Sequence, residues 1–427
     1  MRTFLHRLLG LARARGFDAA GGGRRWEGAR TVDGLNAAIL AGATTAARRA
    51  GWYARNNPWV AAAVDSLVGN VVGAGIKPQS THPDRAVRER LQALWLRWTD
   101  HAAPDGLADF YGLQAMAVRA MVESGESFAR LRVASDVTSI PLHLELLDRE
   151  QVPMDLHRVP AADCLHLFKP LAAGQLRGIT WLAPVLLRLH ELDQFEDAAL
   201  VKAKVAALFT GFITDPDGTA GGLSGTNTGG ALTVGMEPGS LIPLPPGTDI
   251  RFSNPTEHDA YAPFVKNQLR AVAAGLGLPY ELVSGDLEGV TYSSIRAGLI
   301  EFRRRVEQLQ HNVVVHLFCR PVWERFVRLA VLTGDLPARD FDRNPDAYLG
   351  CEWLPPKFDY VDPMKDVQAE ILAIGAGLKS RSQAISERGY DAEQVDAEIA
   401  ADRERADRLG LAFGQTAAPQ QKEAADG

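Results

Sequence analysis

Apolar residues recur along positions 292–318 in alternating steps of four and three, the spacing of one face of an α-helix. These residues are Ile295, Leu299, Phe302, Val306, Leu309 and Val313. The pattern predicts one continuous helix, roughly 40 Å long at the α-helical rise per residue. Its seam is narrow and arginines lie beside it, so we expect the seam to pack on neighbouring helices, including copies of itself.

Shorter elements precede this helix. Asn57 followed by Pro58 predicts a helix start, because asparagine caps a first turn in which proline costs no hydrogen bond. Alternating polar and apolar residues at 126–133 and 142–147 predict a β-hairpin packed on the helices before it. The predicted fold class is therefore α+β and mainly helical.

The long helix is expected to kink at Pro321, which lacks a backbone donor and crowds the preceding turn. These patterns divide the chain into six regions, which are a basic arm (1–50), a helical and β region (51–200), a central region of strands, loops and short helices (201–291), the long helix (292–333), a connector with C-terminal helices (334–410) and a disordered tail (411–427).

Composition is that of a globular protein, with 46% apolar and 23% charged residues in a chain of 427. The three cysteines are Cys164, Cys319 and Cys351. Their odd number and wide spacing favour neither a disulfide framework nor a CxxC metal site, and indicate folding in a reducing cytoplasm. The longest apolar stretch, 59–76, is interrupted by polar residues, so we predict no membrane span.

Charge is distributed unevenly. Residues 1–55 contain ten arginines and three acidic residues, a net charge of +7. Since the whole chain carries −6, residues 56–427 carry −13. The basic, amphipathic opening resembles a targeting presequence or a nucleic-acid-binding arm, and a solvated arm that docks on a neighbouring molecule explains it equally well.

Catalytic and cofactor motifs are not evident. His157, Asp163, Cys164 and His166 lie close together in sequence, but 165–168 has the pattern of a strand and no third ligand stands at a fixed spacing. The Gly-rich segment 215–248 contains no phosphate-binding motif and predicts a flexible loop between short strands. We therefore predict a structural protein rather than an enzyme, with no metal and no cofactor.

Ten segments, in this order, resemble the lambda-type family of tailed-phage portal proteins. They are RNNPW at 55–59, VVGAGI at 71–76, GESF at 125–128, GITWLAP at 178–184, AGLGLPYEL at 274–282, SGDL at 284–287, YSSIRAG at 292–298, FCRPVW at 318–323, WLPP at 353–356 and VDP at 361–363. One departure is a short bridge at 154–157, where family members carry a longer β-rich excursion. For this departure we hypothesise a trimmed peripheral hairpin that leaves the ring intact, and the alternative is a decayed prophage copy.

The resemblance implies a portal fold with wing, stem, clip and crown, assembled as a dodecameric ring at one capsid vertex. Such a ring docks the terminase large subunit, contacts major capsid and scaffold proteins and a head–tail adaptor, and passes double-stranded DNA during packaging and ejection. Its expected location is the virion, after assembly in the host cytoplasm. On this interpretation residues 51–200 include the wing, 201–291 parts of the stem and clip, 292–333 the stem helix and 334–410 a crown-like region.

Candidate channel- or DNA-proximal residues are Ser284, Gly285, Asp286, Thr291 and Arg296. They belong to the turn before the long helix and to the polar side of the helix itself. An acidic body suits a conduit, because many cationic contacts would hold DNA tightly by counterion release.

Candidate intersubunit residues are Ile295, Leu299, Phe302, Arg303 and Val306. The arginines of the helix are expected to pair with acidic residues of the adjacent subunit. The alternative hypothesis is a nucleic-acid-binding, DNA-processing factor that uses the basic N-terminal arm.

Overall fold

The computed structural model of the protein describes residues 34–133, 140–149, 159–207, 211–214, 226–228, 231–233, 249–252, 261–356 and 363–411. Several predicted features lie outside these residues. They are the arm up to residue 33, the bridge at 154–157, most of the loop 215–248 and the tail from residue 412.

The described residues form a mainly helical fold with small sheets, as the sequence predicts. In chain order the α-helices are α1 (Leu35–Asn56), α2 (Pro58–Val71), α3 (Arg85–Thr99), α4 (Phe110–Ser124), α5 (Leu186–Ala207), α6 (Tyr261–Leu276), α7 (Tyr280–Ser284), α8 (Tyr292–Leu309), α9 (Arg320–Leu332), α10 (Pro345–Leu349), α11 (Pro363–Gly375), α12 (Arg381–Ser386) and α13 (Ala392–Leu409). A π-helical segment, Gln310–Cys319, joins α8 to α9.

All strand pairs in the described residues are antiparallel. The strands are β1 (Lys77–Ser80), β2 (Glu126–Val133), β3 (Leu142–Leu147), β4 (Cys164–Phe168), β5 (Gly211–Thr214), β6 (Thr226–Thr228), β7 (Ala231–Thr233), β8 (Asp249–Phe252) and β9 (Cys351–Leu354). They pair as β1–β9, β3–β2–β4, β5–β8 and β6–β7.

The helix start predicted at Asn57 is confirmed. Its side-chain oxygen accepts a hydrogen bond of 3.1 Å from the backbone N–H of Val60, and Pro58 occupies the first turn of α2. This cap also separates α2 from α1, which begins at Leu35 and buries Ile39 and Ala50. The arm boundary predicted at residue 50 therefore cuts through a packed helix, and the part of the arm that precedes this helix ends before Leu35.

The predicted hairpin is confirmed as β2–β3, and β4 adds a third strand on the other edge of β2. Trp98 anchors this sheet to α3, since its indole N–H donates to the Leu142 carbonyl at 2.8 Å. The sheet therefore packs on the helices that precede it in sequence.

The pairing of β1 with β9 was not predicted. The sequence indicates two extended segments, and the structure brings them together with Lys77 opposite Leu354 and Ser80 opposite Cys351. This pair ties the connector after the long helix to the N-terminal helices. Two segments separated by more than half the length of the chain are thus held together.

The centre of the core is a cluster of aromatic rings from three parts of the chain. The ring of Trp95 lies 4.8 Å from that of Trp98, 5.2 Å from that of Trp323 and 4.9 Å from that of Phe326, measured between centroids. Phe110 joins them from α4, with its ring 5.0 Å from Trp95. Helix α9 is therefore fixed against α3 and α4.

Two buried glutamines connect the helices by hydrogen bonds to backbone. Gln114 of α4 accepts from the Ile76 N–H at 2.8 Å and donates to the Ile76 carbonyl at 3.0 Å. Gln310, the first residue of the π-helical segment, donates to the Val71 carbonyl at 2.9 Å. Gln310 thus satisfies a carbonyl at the end of α2, and Gln114 satisfies backbone groups directly before β1, which burial would otherwise leave unpaired.

Glu126, at the start of β2, is a fully buried carboxylate with four partners. It accepts from Arg177 Nη2 at 2.6 Å and from the Gly178 N–H at 3.0 Å, contacts His166 Nε2 at 2.9 Å, and pairs with Arg149 Nε at 3.4 Å. Burial raises the pKa of such a carboxyl, but the hydrogen bonds outweigh it and lower the pKa of Glu126 to about 2.

Two glycines let the chain reach this carboxylate. Gly125 has φ 96°, and a Cβ on Gly178 would lie 1.9 Å from the Gly125 carbonyl oxygen. Only glycine permits this backbone approach. It brings the segments GESF and GITWLAP, which are far apart in sequence, into direct contact.

Glu126→Gln should remove a buried charge pairing and lower the free energy of unfolding by about 3 kcal/mol near neutral pH. Because the folded-state pKa of Glu126 lies below its ordinary value of 4.5, the wild-type contribution is complete above that pH and is lost as pH falls toward 2. Urea unfolding followed by tryptophan fluorescence at a series of pH values measures both effects, and the variant should show a weaker acid dependence.

Glu145→Gln is the matched control on the neighbouring strand β3. Its ion pair with Arg132 is 3.5 Å long, with both side chains partly exposed, so its loss should cost less than about 1 kcal/mol. Equal destabilisation by the two substitutions would contradict a special role for Glu126.

Candidate functional site

The candidate site is the helical run from Tyr292 to Leu332 together with the turn that precedes it. Thr291 and Ser294 form a capping box at its start. The Ser294 N–H donates to Thr291 Oγ1 at 3.3 Å, and the Thr291 N–H donates to Ser294 Oγ at 3.2 Å. The predicted candidate Thr291 therefore determines where the helix begins.

The predicted single α-helix is corrected by a change of hydrogen-bonding pattern at Gln310. Residues 310–319 are π-helical, and the Arg320 N–H donates to the Val315 carbonyl five residues earlier. Pro321 follows directly, with no N–H and with a ring that crowds the carbonyl four residues before it. The wider turn accommodates the proline and lets α9 continue into the aromatic core.

The apolar seam is divided into a buried and a partly exposed half. Phe302 and Val306 are 3% and 1% exposed within the single chain, where they belong to its core. Their predicted intersubunit role does not agree with this burial, because they already pack against residues of their own chain. Ile295 and Leu299, nearer the helix start, are only half-buried.

The turn before the helix is held by Asp286. Its Oδ2 accepts from Lys266 Nζ at 2.8 Å and from the Tyr280 hydroxyl at 3.2 Å, and its Oδ1 accepts from the Glu288 N–H at 2.9 Å. The hydrogen bond with Lys266 lowers the pKa of Asp286 and raises that of Lys266. The turn therefore keeps its negative charge.

Ser284 and Gly285 complete the same turn. Ser284 Oγ donates to the Tyr280 carbonyl at 3.0 Å and accepts from the Asp286 N–H at 3.1 Å. Gly285 ends α7 with φ 67°, a left-handed conformation that glycine adopts without strain. The structure thus brings four of the predicted channel candidates, Ser284, Gly285, Asp286 and Thr291, into one short segment.

The fifth candidate, Arg296, is engaged elsewhere. Its Nη2 lies 3.5 Å from Asp366 Oδ1 of α11 in the same chain. Arg304 and Arg305 lie 4.0 Å and 3.9 Å from Glu301 one turn earlier. These three arginines therefore have acidic partners within the single chain, at distances typical of weak surface pairs.

Arg303 and Arg296 both face an open cleft of about 1050 Å³ between α8, β9, α11 and α12. Acidic residues of the same chain line it, among them Glu307, Glu352 and Glu370. Sequence reasoning did not identify this cleft, because its walls come from segments up to ninety residues apart and no local pattern marks their meeting.

The residues of the discarded metal hypothesis have other partners where they are described. His166 contacts Glu126, and Asp163 Oδ1 accepts from Arg325 Nη2 at 2.5 Å, while His157 lies outside the described residues. Within the described ranges no three His, Cys, Asp or Glu side chains converge as metal ligands. In the same ranges, no helix has both the length and the apolar character needed to cross a membrane.

Comparison with known families decides the classification. The family model for phage portal proteins of the lambda family matches residues 22–157 and 153–310, which is more than half of the chain. The chain belongs to the lambda family of phage portal proteins. The resemblance inferred from the sequence segments is thereby confirmed, and seven of the ten segments, those up to residue 298, lie within the matched residues.

Curated portal proteins are similar over part of their length. The portal chain is 32% identical over 266 residues to the "Probable portal protein" of Halomonas phage phiHAP-1, covering 60% of this chain and 50% of that one. It is 26% identical over 262 residues to "Portal protein B" of Escherichia phage lambda, covering 56% and 49%. The chain spans about half the length of the curated relatives it matches.

Solved structures show a weaker likeness. One chain of "Virion of native gene transfer agent (GTA) particle" has a TM-score of 0.45 at 16% identity, covering 87% of the portal chain and 94% of that chain. One chain of "Neck of native GTA particle computed with C12 symmetry" has a TM-score of 0.42 at 16% identity, covering 89% and 100%. TM-scores this low do not support an inference about assembly.

Asp286→Ala removes the acceptor for three donors and should loosen the turn at 284–291. We expect amide hydrogen exchange in this segment to be roughly threefold faster, since a partly exposed ion pair and its accompanying bonds stabilise a turn only modestly. Exchange measured by mass spectrometry on peptides covering the turn tests this.

Glu288→Ala is the control, because Glu288 uses its backbone N–H, not its side chain, in the bond to Asp286. An equal acceleration in both variants would show that Asp286 has no particular role in holding the turn.

Proposed function

We propose that the chain is the repeating subunit of a dodecameric portal ring at one capsid vertex of a virion. The ring docks the terminase large subunit, which drives double-stranded DNA inward, and later joins a head–tail adaptor and releases the DNA. Major capsid and scaffold proteins surround it during assembly in the host cytoplasm. The observation that carries this proposal is the family match across residues 22–310.

The division of the long helix supports a ring. Its C-terminal half is embedded in the aromatic core through Trp323 and Phe326. Its N-terminal half leaves Ile295 and Leu299 half-buried and Ile300 50% exposed. Apolar side chains left partly in water on a rigidly held helix suit contact with a neighbouring subunit.

The turn at 284–291 is the proposed channel-proximal segment. It carries the carboxylates of Asp286 and Glu288, and residues 56–427 have a net charge of −13. Lys266 balances the charge of Asp286, so Glu288 gives the turn its net negative charge, and a surface of this sign does not gather phosphates, so DNA can slide past it. Arg296, paired with Asp366, contributes a structural tie instead of a phosphate contact.

A reduced wing fits the same proposal. The two family matches overlap at residues 153–157, the position at which the sequence lacks the longer excursion. Among the described residues, β2 pairs with β3 on one edge and with β4 on the other, and Glu126 anchors the start of β2. Shortening at the periphery therefore leaves the body of the subunit intact.

Purified protein at micromolar concentration should form particles of twelve times the 46.3 kDa protomer mass in mass photometry. Negative-stain images of the same sample should show rings with a central hole. Ring formation is expected without DNA, because the proposed contacts are between protein surfaces.

A sample of monomers would contradict the ring. If such monomers bound DNA in a salt-sensitive way, and lost that binding when residues 1–33 were removed, the DNA-processing alternative would be favoured. The deletion stops short of α1, whose buried Ile39 and Ala50 belong to the folded body.

Ile295→Asp should lower the ring fraction about tenfold at a fixed protein concentration, because it places a charge in an apolar contact between subunits. Ala297→Asp is the matched control, since Ala297 is exposed two residues further along and faces away from Ile295. Mass photometry measures both, and circular dichroism checks the fold. Equal ring fractions in the two variants would exclude Ile295 from the interface.

A further inference from the structure

A second cleft, of about 520 Å³, lies where α6 and its following glycine turn meet α8 and the π-helical segment. Its lining is largely apolar, with contributions from Leu67, Leu276, Phe302, Val306 and Leu309. The volume is within the range of pockets that bury a small molecule, so it has room for a side chain. Neither the proposed channel nor the partly exposed seam makes use of this cleft.

Two cations border the cleft. Lys169 Nζ lies 4.7 Å from the centroid of the Trp181 ring, a cation–π contact. Partial desolvation, followed by the charge of Arg305, lowers the pKa of Lys169. In the described part of the chain Lys169 forms no ion pair, and the carboxylate nearest to Arg305 is that of Glu301 at 3.9 Å. Positive charge is therefore concentrated here and poorly neutralised.

Gly277 leaves room for Arg305 at this position. Its φ is 73°, and a Cβ there would lie 2.8 Å from Arg305 Nη1. The glycine of the segment AGLGLPYEL thus leaves space that the guanidinium fills. The contact with Arg305 explains why a glycine stands at position 277.

Trp181, which also lines the cleft, has an unmet donor. Its indole N–H is buried and has no hydrogen-bond acceptor among the described residues. A buried donor without an acceptor costs free energy, which an incoming oxygen can recover. The two cations and the unpaired N–H favour a carboxylate as the group bound in this cleft. The apolar floor favours an apolar group next to that carboxylate.

We infer that this cleft receives an acidic side chain from a second copy of this chain. The net charge of −13 on residues 56–427 means that another subunit offers many carboxylates. A DNA duplex is a poor occupant, because it needs a row of cations along its backbone and the cleft offers two beside an apolar floor. The inference rests on the proposed ring and names one of its contacts.

Carbodiimide coupling of assembled protein tests the contact directly. The protonated carboxyl group adds to the carbodiimide to give an O-acylisourea, the neutral Lys169 amine attacks its carbonyl carbon, and the amide forms as the C–O bond to the isourea breaks and the urea leaves with the proton lost by the amine. Subunits labelled with ¹⁴N and ¹⁵N are mixed before assembly, and the coupled peptides are analysed by mass spectrometry. We expect Lys169 joined to an Asp or Glu peptide in mixed-isotope pairs, which only two different chains can give.

Lys266 and Asp286 serve as the internal control. They are 2.8 Å apart in one chain, so their amide should appear in single-isotope form in rings and monomers alike. If rings are present and this control forms, while Lys169 couples only within its own chain or not at all, the inference is overturned and the ring proposal stands. If no rings form, both fail.

Two substitutions supply an independent measurement. Lys169→Met and Arg305→Gln should each raise the concentration needed for half-assembly about tenfold, because each leaves the incoming carboxylate less well paired. Arg304→Gln, next to Arg305 but 76% exposed, should leave it unchanged. Equal assembly by all three variants would overturn the inference even where coupling is observed.

Discussion

Packing of the aromatic cluster around Trp95 is the interaction on which the rest of the structure depends. It joins α3, α4 and α9, and so fixes one end of the long helix against the N-terminal body. Large rings in edge and tilted contacts bury much apolar surface and hold a defined geometry. The position of every residue earlier in the helix follows from this anchor.

The π-helical segment joins α9, which contains Pro321, to α8. The position of α8 is therefore fixed together with that of α9. Gln310 binds the Val71 carbonyl, and Val313 is buried, so the wider turns are held in the core and not exposed to water. Toward its N-terminus the same helix becomes more exposed to solvent, from the buried Phe302 to the half-buried Ile295. A single element is thus core at one end and available surface at the other, which is what a subunit of an assembly requires.

Local patterns in the sequence predicted much of this fold. The Asn57 cap, the β2–β3 hairpin and the helix from Tyr292 to Leu309 are confirmed, because each depends on neighbouring residues. The pairing of β1 with β9 was missed, since strand periodicity does not identify a partner far away in the chain. Glu126 was also missed as a buried centre, because its position in an alternating strand resembles a solvent-facing charge.

The seam of the long helix shows the limit of periodicity most clearly. Phe302 and Val306 have the same spacing as Ile295 and Leu299, yet the first pair is buried within the chain. The pattern shows that one face of the helix is apolar. It does not show whether the same chain or another molecule covers that face. Arg296 is a similar case, because its partner Asp366 is seventy residues away.

We propose that another subunit covers the exposed end of this helix. A cryo-electron microscopy reconstruction of the assembled protein, at a resolution that shows side chains, tests it most directly. We expect a closed ring in which Ile295 contacts the adjacent subunit and Phe302 remains in its own core. A ring in which Ile295 faces solvent, or a protein that stays monomeric, would contradict it.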